Sequence, residues 1–230
     1  MGVPLKFILT GGADSDKFEK IDNHFISLLG KKPTLLFIPL AGEEDSWDDG
    51  LDRIQEVFST IEFDAIEMCV DLSVLEWDYI KNFSAIYIDG GNTFRLMEAI
   101  HNTHTFEILH RFLHSGGILN GDSAGAIVLG SHIQTAHFGE VGDKNESEVI
   151  SYQGLGLIGK WAIHCHYKVD EDDEIERFSD TYGFPVIALH EETAIYIEDG
   201  ILKVFGPGEA VIFKGYLKKT LKVGDVFQLI

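Results

Sequence analysis

In the first half of the chain, short apolar runs alternate with stretches whose apolar residues recur every three or four positions. The runs Leu5–Leu9, Leu35–Ile38, Ala65–Met68, Ala85–Ile88 and Gly117–Leu119 each end in a turn-like cluster, the pattern of strands buried on both faces. Between them lie Phe18–Leu29, Trp47–Ile61, Leu75–Phe83, Thr93–His101 and Phe106–His114. Ile21, Phe25, Leu28 and Leu29 recur at helical spacing, as do Leu51, Ile54, Val57 and Phe58, so amphipathic helices are predicted there. Asp14 or Ser15 is placed to cap the first and Ser46 the second. Alternation of this kind predicts an α/β fold: a doubly wound, mostly parallel sheet with helices on both faces.

After Ser151 the pattern changes. Trp161–Cys165, Val186–Leu189, Thr193–Ile197, Ile201–Phe205 and Ala210–Phe213 follow one another, separated by turns such as Asp199-Gly200 and Gly206-Pro207-Gly208. They read as strands and hairpins, interrupted by one helix over Asp172–Tyr182. No Pro/Ser-rich linker or repeat divides the chain. The expectation is a single domain over residues 1–230 whose sheet continues into antiparallel strands in the C-terminal part.

Charge narrows the partners. Of 230 residues, 18 are Lys or Arg and 38 Asp or Glu, a net charge of −20, which argues against nucleic acid and anionic membrane. No apolar run approaches the ~18 residues of a membrane span. Cys69 and Cys165 are too few for a disulfide scaffold, and the N-terminal residues do not read as a secretory signal. A cytoplasmic protein is expected, a monomer or a homodimer.

The candidate chemistry centres on Gly121-Asp122-Ser123-Ala124-Gly125, a G-x-S-x-G motif. An apolar strand precedes it and an apolar helix start follows, the context in which such a serine is a nucleophile. Glycines are needed because a sharp strand-to-helix turn leaves no room for side chains. The helix N-terminus then directs free N–H groups at a developing oxyanion. A tight turn with a capping serine is the plain alternative. Asp89-Gly90-Gly91-Asn92 ends an earlier strand; by itself it is an ordinary turn with Asn92 as cap. In a parallel sheet, however, strand C-termini share one edge, so Gly91 and Ala124 can supply two oxyanion donors.

A serine nucleophile needs a base. On a strand, His164 and His166 of His164-Cys165-His166 point to one face. Two alternating histidines also suit zinc, but no further residue stands at a recognised ligand spacing, and no metal or other cofactor is expected. Gly154-Leu155-Gly156-Leu157-Ile158-Gly159 matches G-x-G-x-x-G, yet a strand follows it and not a helix, so it reads as a loop. The acidic run Asp170–Glu174 reads as a solvated helix start.

Taken together, Ile38-Pro39-Leu40-Ala41-Gly42, the Gly-Gly-Asn-Thr-Phe segment at residues 90–94, the Gly121–Ala126 elbow and Gly154-Leu155-Gly156-Leu157 leading to His166-Tyr167 resemble peptidase family S51. That group contains aspartyl dipeptidase (peptidase E) and cyanophycinase. The resemblance implies a serine hydrolase on a flavodoxin-like fold related to class I glutamine amidotransferases. It implies Ser123 as nucleophile, His166 as base, and Gly91 with Ala124 as oxyanion donors.

Candidates for the third triad member between nucleophile and base are Glu140, Asp143, Glu146 and Glu148, and Asp170 lies four residues beyond the base. Glu140 lies nearest the apolar stretch leaving the elbow helix and is the expected acid, with Asp143 second. Asn92, Asp122 and Arg177 are candidate substrate-binding residues. The leading reading is a dipeptidase-like serine peptidase acting on small peptides through an acyl-enzyme, with Asp-Xaa cleavage as a candidate specificity. The alternatives are an α/β-hydrolase-type esterase, whose histidine would follow the final strand and favour His190 or nothing, and a non-catalytic amidotransferase-like binding domain.

Overall fold

The computed structural model describes residues 3–12, 25–101 and 103–229. Its strands are β1 (Lys6–Thr10), β2 (Thr34–Ile38), β3 (Ala65–Met68), β4 (Ala85–Ile88), β5 (Ile118–Asp122), β6 (Ala162–His164), β7 (Val186–Leu189), β8 (Ala194–Glu198), β9 (Ile201–Phe205), β10 (Ala210–Lys214), β11 (Leu217–Leu221) and β12 (Val226–Gln228). Its helices are α1 (Trp47–Val57), α2 (Trp77–Ile80), α3 (Thr93–Ile100), α4 (Thr105–His114), α5 (Ala124–Leu129) and α6 (Asp172–Tyr182). Residues 25–29 are also helical.

The strands form two sheets. In the larger, β1, β5, β4, β2 and β3 pair in parallel in that spatial order, and β8, β9 and β12 extend it antiparallel beyond β1. The central parallel strands β1, β2 and β4 are largely apolar because alternate side chains enter different cores, whereas the edge strand β3 is only partly buried. Phe7, Leu9, Leu36, Ile38, Ile86, Ile88 and Leu119 pack with Leu96 of α3, Leu109 and Phe112 of α4 and Val128 of α5. Ile8, Leu35, Phe37, Ala85, Tyr87 and Ile118 pack instead with Ile54 of α1 and with Phe58, Phe25 and Leu29. Both faces of the sheet are therefore covered, as the alternation of runs predicts.

The second sheet, in the order β11-β10-β7-β6, is a departure from the expected single continuous sheet. Only β8, β9 and β12 extend the large sheet. The runs at residues 161–165, 186–189 and 210–213 form the small one with β11. Strand patterning reports burial and not the partner, so the sequence does not distinguish the two arrangements. Ile163, Ile187, Leu189, Ile212 and Leu221 join the core that holds Leu9 and Leu119. Ala162, Val186, Ala188, Val211 and Phe213 face α6 through Ile175 and Phe178.

Local differences have local causes. The helix expected over residues 75–83 shrinks to α2, preceded by a 3-10 turn at Leu72–Val74 that Asp71 caps through Ser73 N–H. Helix α1 stops at Val57, and the Ser46 hydroxyl donates to Glu43 O instead of capping it. Asn92 does cap α3, its Oδ1 accepting from Phe94 and Arg95 N–H. The predicted caps Asp14 and Ser15, and most of the predicted first helix, lie outside the described residues.

Candidate active site

Ser123 sits between β5 and α5 with φ 47° and ψ −108°, a left-handed region sparsely populated by non-glycine residues. The flanking glycines make this turn sterically possible. A Cβ on Gly125 would lie 2.2 Å from Ile88 O, and one on Gly121 would lie 2.7 Å from the Gly125 carbonyl. The Ser123 carbonyl accepts the N–H groups of Ala126 and Ile127, and its own N–H donates to Thr10 O at 3.1 Å. With the backbone so fixed, the hydroxyl is turned away from capping the helix and toward an imidazole.

That imidazole is His166, two residues beyond β6. It too has a positive φ, 56°, and its N–H donates to Gly11 O at 3.0 Å. Its Nε2 lies 2.8 Å from Ser123 Oγ, and its Nδ1 lies 3.2 Å from Glu191 Oε1. A carboxylate only accepts, so the consistent network has Nδ1–H donating to Glu191 and the Ser123 hydroxyl donating to Nε2. Glu191 follows β7 and its side chain is 63% exposed.

Gly91 has φ 134°, and a Cβ there would lie 2.4 Å from Ala41 O. The adjacent Gly90 lies beside Ser123, since its Cβ would be 3.3 Å from Ser123 Cβ. Among the described residues, the N–H groups of Gly91 and Ala124 make none of the hydrogen bonds that tie together the surrounding turns.

A charged layer lies behind the elbow. Arg53 of α1 pairs with Asp89 at the end of β4, Nη2 to Oδ1 2.5 Å. The Thr10 hydroxyl donates to Asp122 Oδ1. Burial pushes the Asp122 carboxyl up to about 6; the hydrogen bond from Thr10 opposes this, Asp89 adds to it, and Arg53 and His166 oppose it. Burial, helped by the charges of Asp122 and Asp143, also pushes the Cys165 thiol well up, so this neighbour of His166 is no thiolate.

Ser123, His166, Glu191, Gly12, Gly90, Gly91 and Asp122 line one cavity of about 520 Å³ together with Thr135, Phe138, Asp143, His164 and Glu171. The structure does not bring Glu140 to His166: that residue is exposed and outside the cavity lining. The stretch expected to deliver it as a strand is a 3-10 turn over Gln134–His137. Asp143 lines the cavity, but its Oδ2 accepts Thr93 N–H at 2.8 Å. Arg177 is exposed on α6 and outside the cavity lining, and Asn92 serves as helix cap while its amide donates to Lys144 O. His190 packs edge-on against Tyr167. Among the described residues, no three His, Cys, Asp or Glu side chains converge as metal ligands.

Two residues escaped sequence reasoning. Glu191 lies beyond the base in sequence, outside the interval searched, although an apolar strand ending in His190-Glu191-Glu192 is the signal that marks it. Gly12 (φ 84°) is pressed against the His166 ring, and its signal is a glycine pair at the C-terminal end of β1. The G-x-G-x-x-G stretch has a structural role. The N–H groups of Leu155, Gly156 and Leu157 donate to the carbonyls of Val128, Gly130 and Leu129, closing the C-terminal end of α5. A Cβ on Gly154 would lie 2.3 Å from Gly130 O.

Residues 7–205 match peptidase family S51. A peptidase E of Nostoc sp. (strain PCC 7120) is 30% identical over 195 residues, covering 78% of this chain and 75% of that protein. A cyanophycinase of Trichormus variabilis is 31% identical over 136 residues, 56% of this chain and 44% of its own length. The crystal structure of a peptidase from an acI-B1 Actinobacterium superposes with a TM-score of 0.72 at 20% identity, covering 99% of this chain and 98% of that one.

Proposed function

Because the chain belongs to peptidase family S51, and is thus a serine peptidase, we propose that it hydrolyses small peptides through an acyl-enzyme on Ser123. His166 serves as base, Glu191 orients it, and Gly91 with Ala124 receives the oxyanion. The observation that carries this reading is the 2.8 Å contact between Ser123 Oγ and His166 Nε2 on a strained turn. Oγ attacks the scissile carbonyl carbon while its proton passes to Nε2, and the carbonyl oxygen takes up negative charge before the Gly91 and Ala124 N–H groups. Collapse breaks the C–N bond, and the proton leaves His166 with the amine. Water then attacks the ester and gives a proton to Nε2; on collapse the C–Oγ bond breaks, that proton passes to Ser123 Oγ, and the acid is released. Glu191 holds the Nδ1–H tautomer throughout and offsets the transient imidazolium charge.

Asp122 fits a substrate-binding role in this reading, as one wall of the cavity next to the nucleophile. The class I amidotransferase-like kinship of the fold is consistent with the parallel order β1-β5-β4-β2-β3 and its elbow at β5. The core shared by both sheets supports one domain over the chain. A cytoplasmic setting accords with two buried, unpaired cysteines. The esterase alternative needs a base after a later strand, and His190 packs on Tyr167 instead.

A fluorophosphonate probe tests the proposal. The wild-type protein labels at Ser123 and cleaves members of a dipeptide panel, and Ser123→Ala does neither. An unlabelled wild-type protein that cleaves no peptide would return the elbow to a mere turn and favour the non-catalytic binding domain.

A further inference from the structure

The walls of the cavity say which acyl-side residue it can hold. Among the described residues, no Lys or Arg lines it, whereas Asp122, Asp143, Glu171 and Glu191 do. Its two histidines are already engaged. His166 lies between Ser123 and Glu191. The buried His164 has Nδ1 3.1 Å from Thr135 O and Nε2 2.8 Å from Glu171 Oε2, so neither nitrogen can turn to a ligand. An acidic substrate side chain entering here would lose its water and meet no free cationic donor among the described residues, which is costly for an ionised carboxylate.

The four carboxylates differ in what they have left to offer. Glu191 is held by His166. Asp122 takes the Thr10 hydroxyl. Glu171 Oε2 accepts from His164 and from Lys168 N–H, and its Oε1 lies 2.0 Å from where a Gly139 Cβ would be. Burial raises the Glu171 carboxyl, but those hydrogen bonds outweigh it and hold it below the ordinary value. Asp143 is the exception in having no side-chain partner among the described residues, whereas Asp122, Glu171 and Glu191 each pair with one. Its Oδ2 is fixed by Thr93 N–H at the start of α3, while its Oδ1 takes no hydrogen bond among the described residues. A carboxylate anchored by one oxygen and open at the other is a preorganised receptor for an ammonium or guanidinium.

Resting on Ser123 as the nucleophile, we propose that the cavity selects peptides with a cationic side chain on the acyl side of the scissile bond, received by Asp143, and disfavours acidic ones. The wider charge agrees. The chain carries −20 overall. A field of this sign draws cationic substrates in at low ionic strength.

The test is the kcat/KM of Lys-Leu, Ala-Leu and Asp-Leu, normalised to the fraction of protein that a fluorophosphonate labels. Lys-Leu is expected to exceed Asp-Leu at least tenfold. In Asp143→Asn, which keeps an oxygen for Thr93 N–H, the Lys-Leu to Ala-Leu ratio should fall at least fivefold, and Asp143→Glu should restore part of it. Normalisation to labelled protein removes any loss through misfolding. Should the serine label but no dipeptide turn over, Lys-Leu must still slow labelling more than Asp-Leu does. Preference for Asp-Leu, or a ratio indifferent to Asp143, overturns the specificity while leaving the labelled nucleophile standing. Absence of both labelling and hydrolysis overturns the nucleophile assignment and this inference with it.

Discussion

Gly12 and His166 are in such close contact that a Cβ on Gly12 would lie 2.3 Å from the imidazole Cε1 and 2.7 Å from Nε2. The three nearest atoms it would meet all belong to the ring, so it is the imidazole that must move. Gly12→Ala should therefore push the imidazole off Ser123. A misplacement of about 1 Å costs on the order of 10²-fold in rate, and kcat together with the rate of fluorophosphonate labelling should fall by that order. Far-ultraviolet circular dichroism should be retained, since the side chain of His166 is itself 37% exposed. Wild-type labelling by the variant would show that the ring does not depend on this contact.

Glu191→Gln should lower kcat/KM by about 10²-fold. The loss of a fully buried triad carboxylate reaches about 10⁴-fold, but Glu191 is largely exposed and water takes over part of its role. Glu140→Gln, outside the cavity, should change the rate less than about threefold. The two variants assayed side by side decide the matter, and a larger loss at Glu140 would move the orienting role there.

Asp122 makes stability depend on pH in a definite direction. Its folded value is raised to about 6, above an unfolded value of about 3.9. The folded protein therefore holds this proton more tightly, and the stability it contributes is complete below about pH 4 and lost as pH rises through about 6. Urea unfolding of wild type and Asp122→Asn between pH 4 and 7 should show the wild type losing ground to the variant across that window. A difference that moves the other way would mean that Arg53 and Thr10 stabilise the carboxylate more than burial penalises it.

Asn92→Ala should destabilise the fold by about 1 kcal/mol, the usual value of a helix cap. It removes the acceptor for Phe94 and Arg95 N–H and the donor to Lys144 O. Because Asn92 adjoins Gly91, kcat should fall further than the stability change explains. Denaturant midpoints compared with initial rates at low temperature separate the two effects.

The parallel half of the large sheet was legible because its central strands β1, β2 and β4 are buried on both faces and are followed by turns bearing glycine or Asp. The elbow was legible because few residue patterns permit a strand to turn into a helix within two residues. His166 was legible through its place in a motif order. Glu191 was not, because an acid can reach an imidazole from any neighbouring strand end, and proximity between β6 and β7 is a fact of sheet order that periodicity does not contain. Glu140 failed for a related reason: an apolar stretch such as residues 133–138 can be strand or 3-10 turn, and the direction of the next carboxylate depends on which. The split into two sheets was hidden likewise, since Ile163 or Ile187 is equally apolar whichever sheet it joins.

The proposed nucleophile and base belong to different sheets. Ser123, Gly91 and Gly12 leave the ends of strands in the eight-stranded sheet, whereas His166 and Glu191 leave β6 and β7 of the four-stranded one. In that reading turnover reports how the two sheets are docked, and a slip of the smaller by about 1 Å would cut the rate on the order of 10²-fold while both sheets stayed intact. The interlocked apolar layer between them, with Leu189 and Ile163 on one side and Leu9 and Leu119 on the other, then acts as an alignment jig, and substitutions far from any substrate could tune the rate through it.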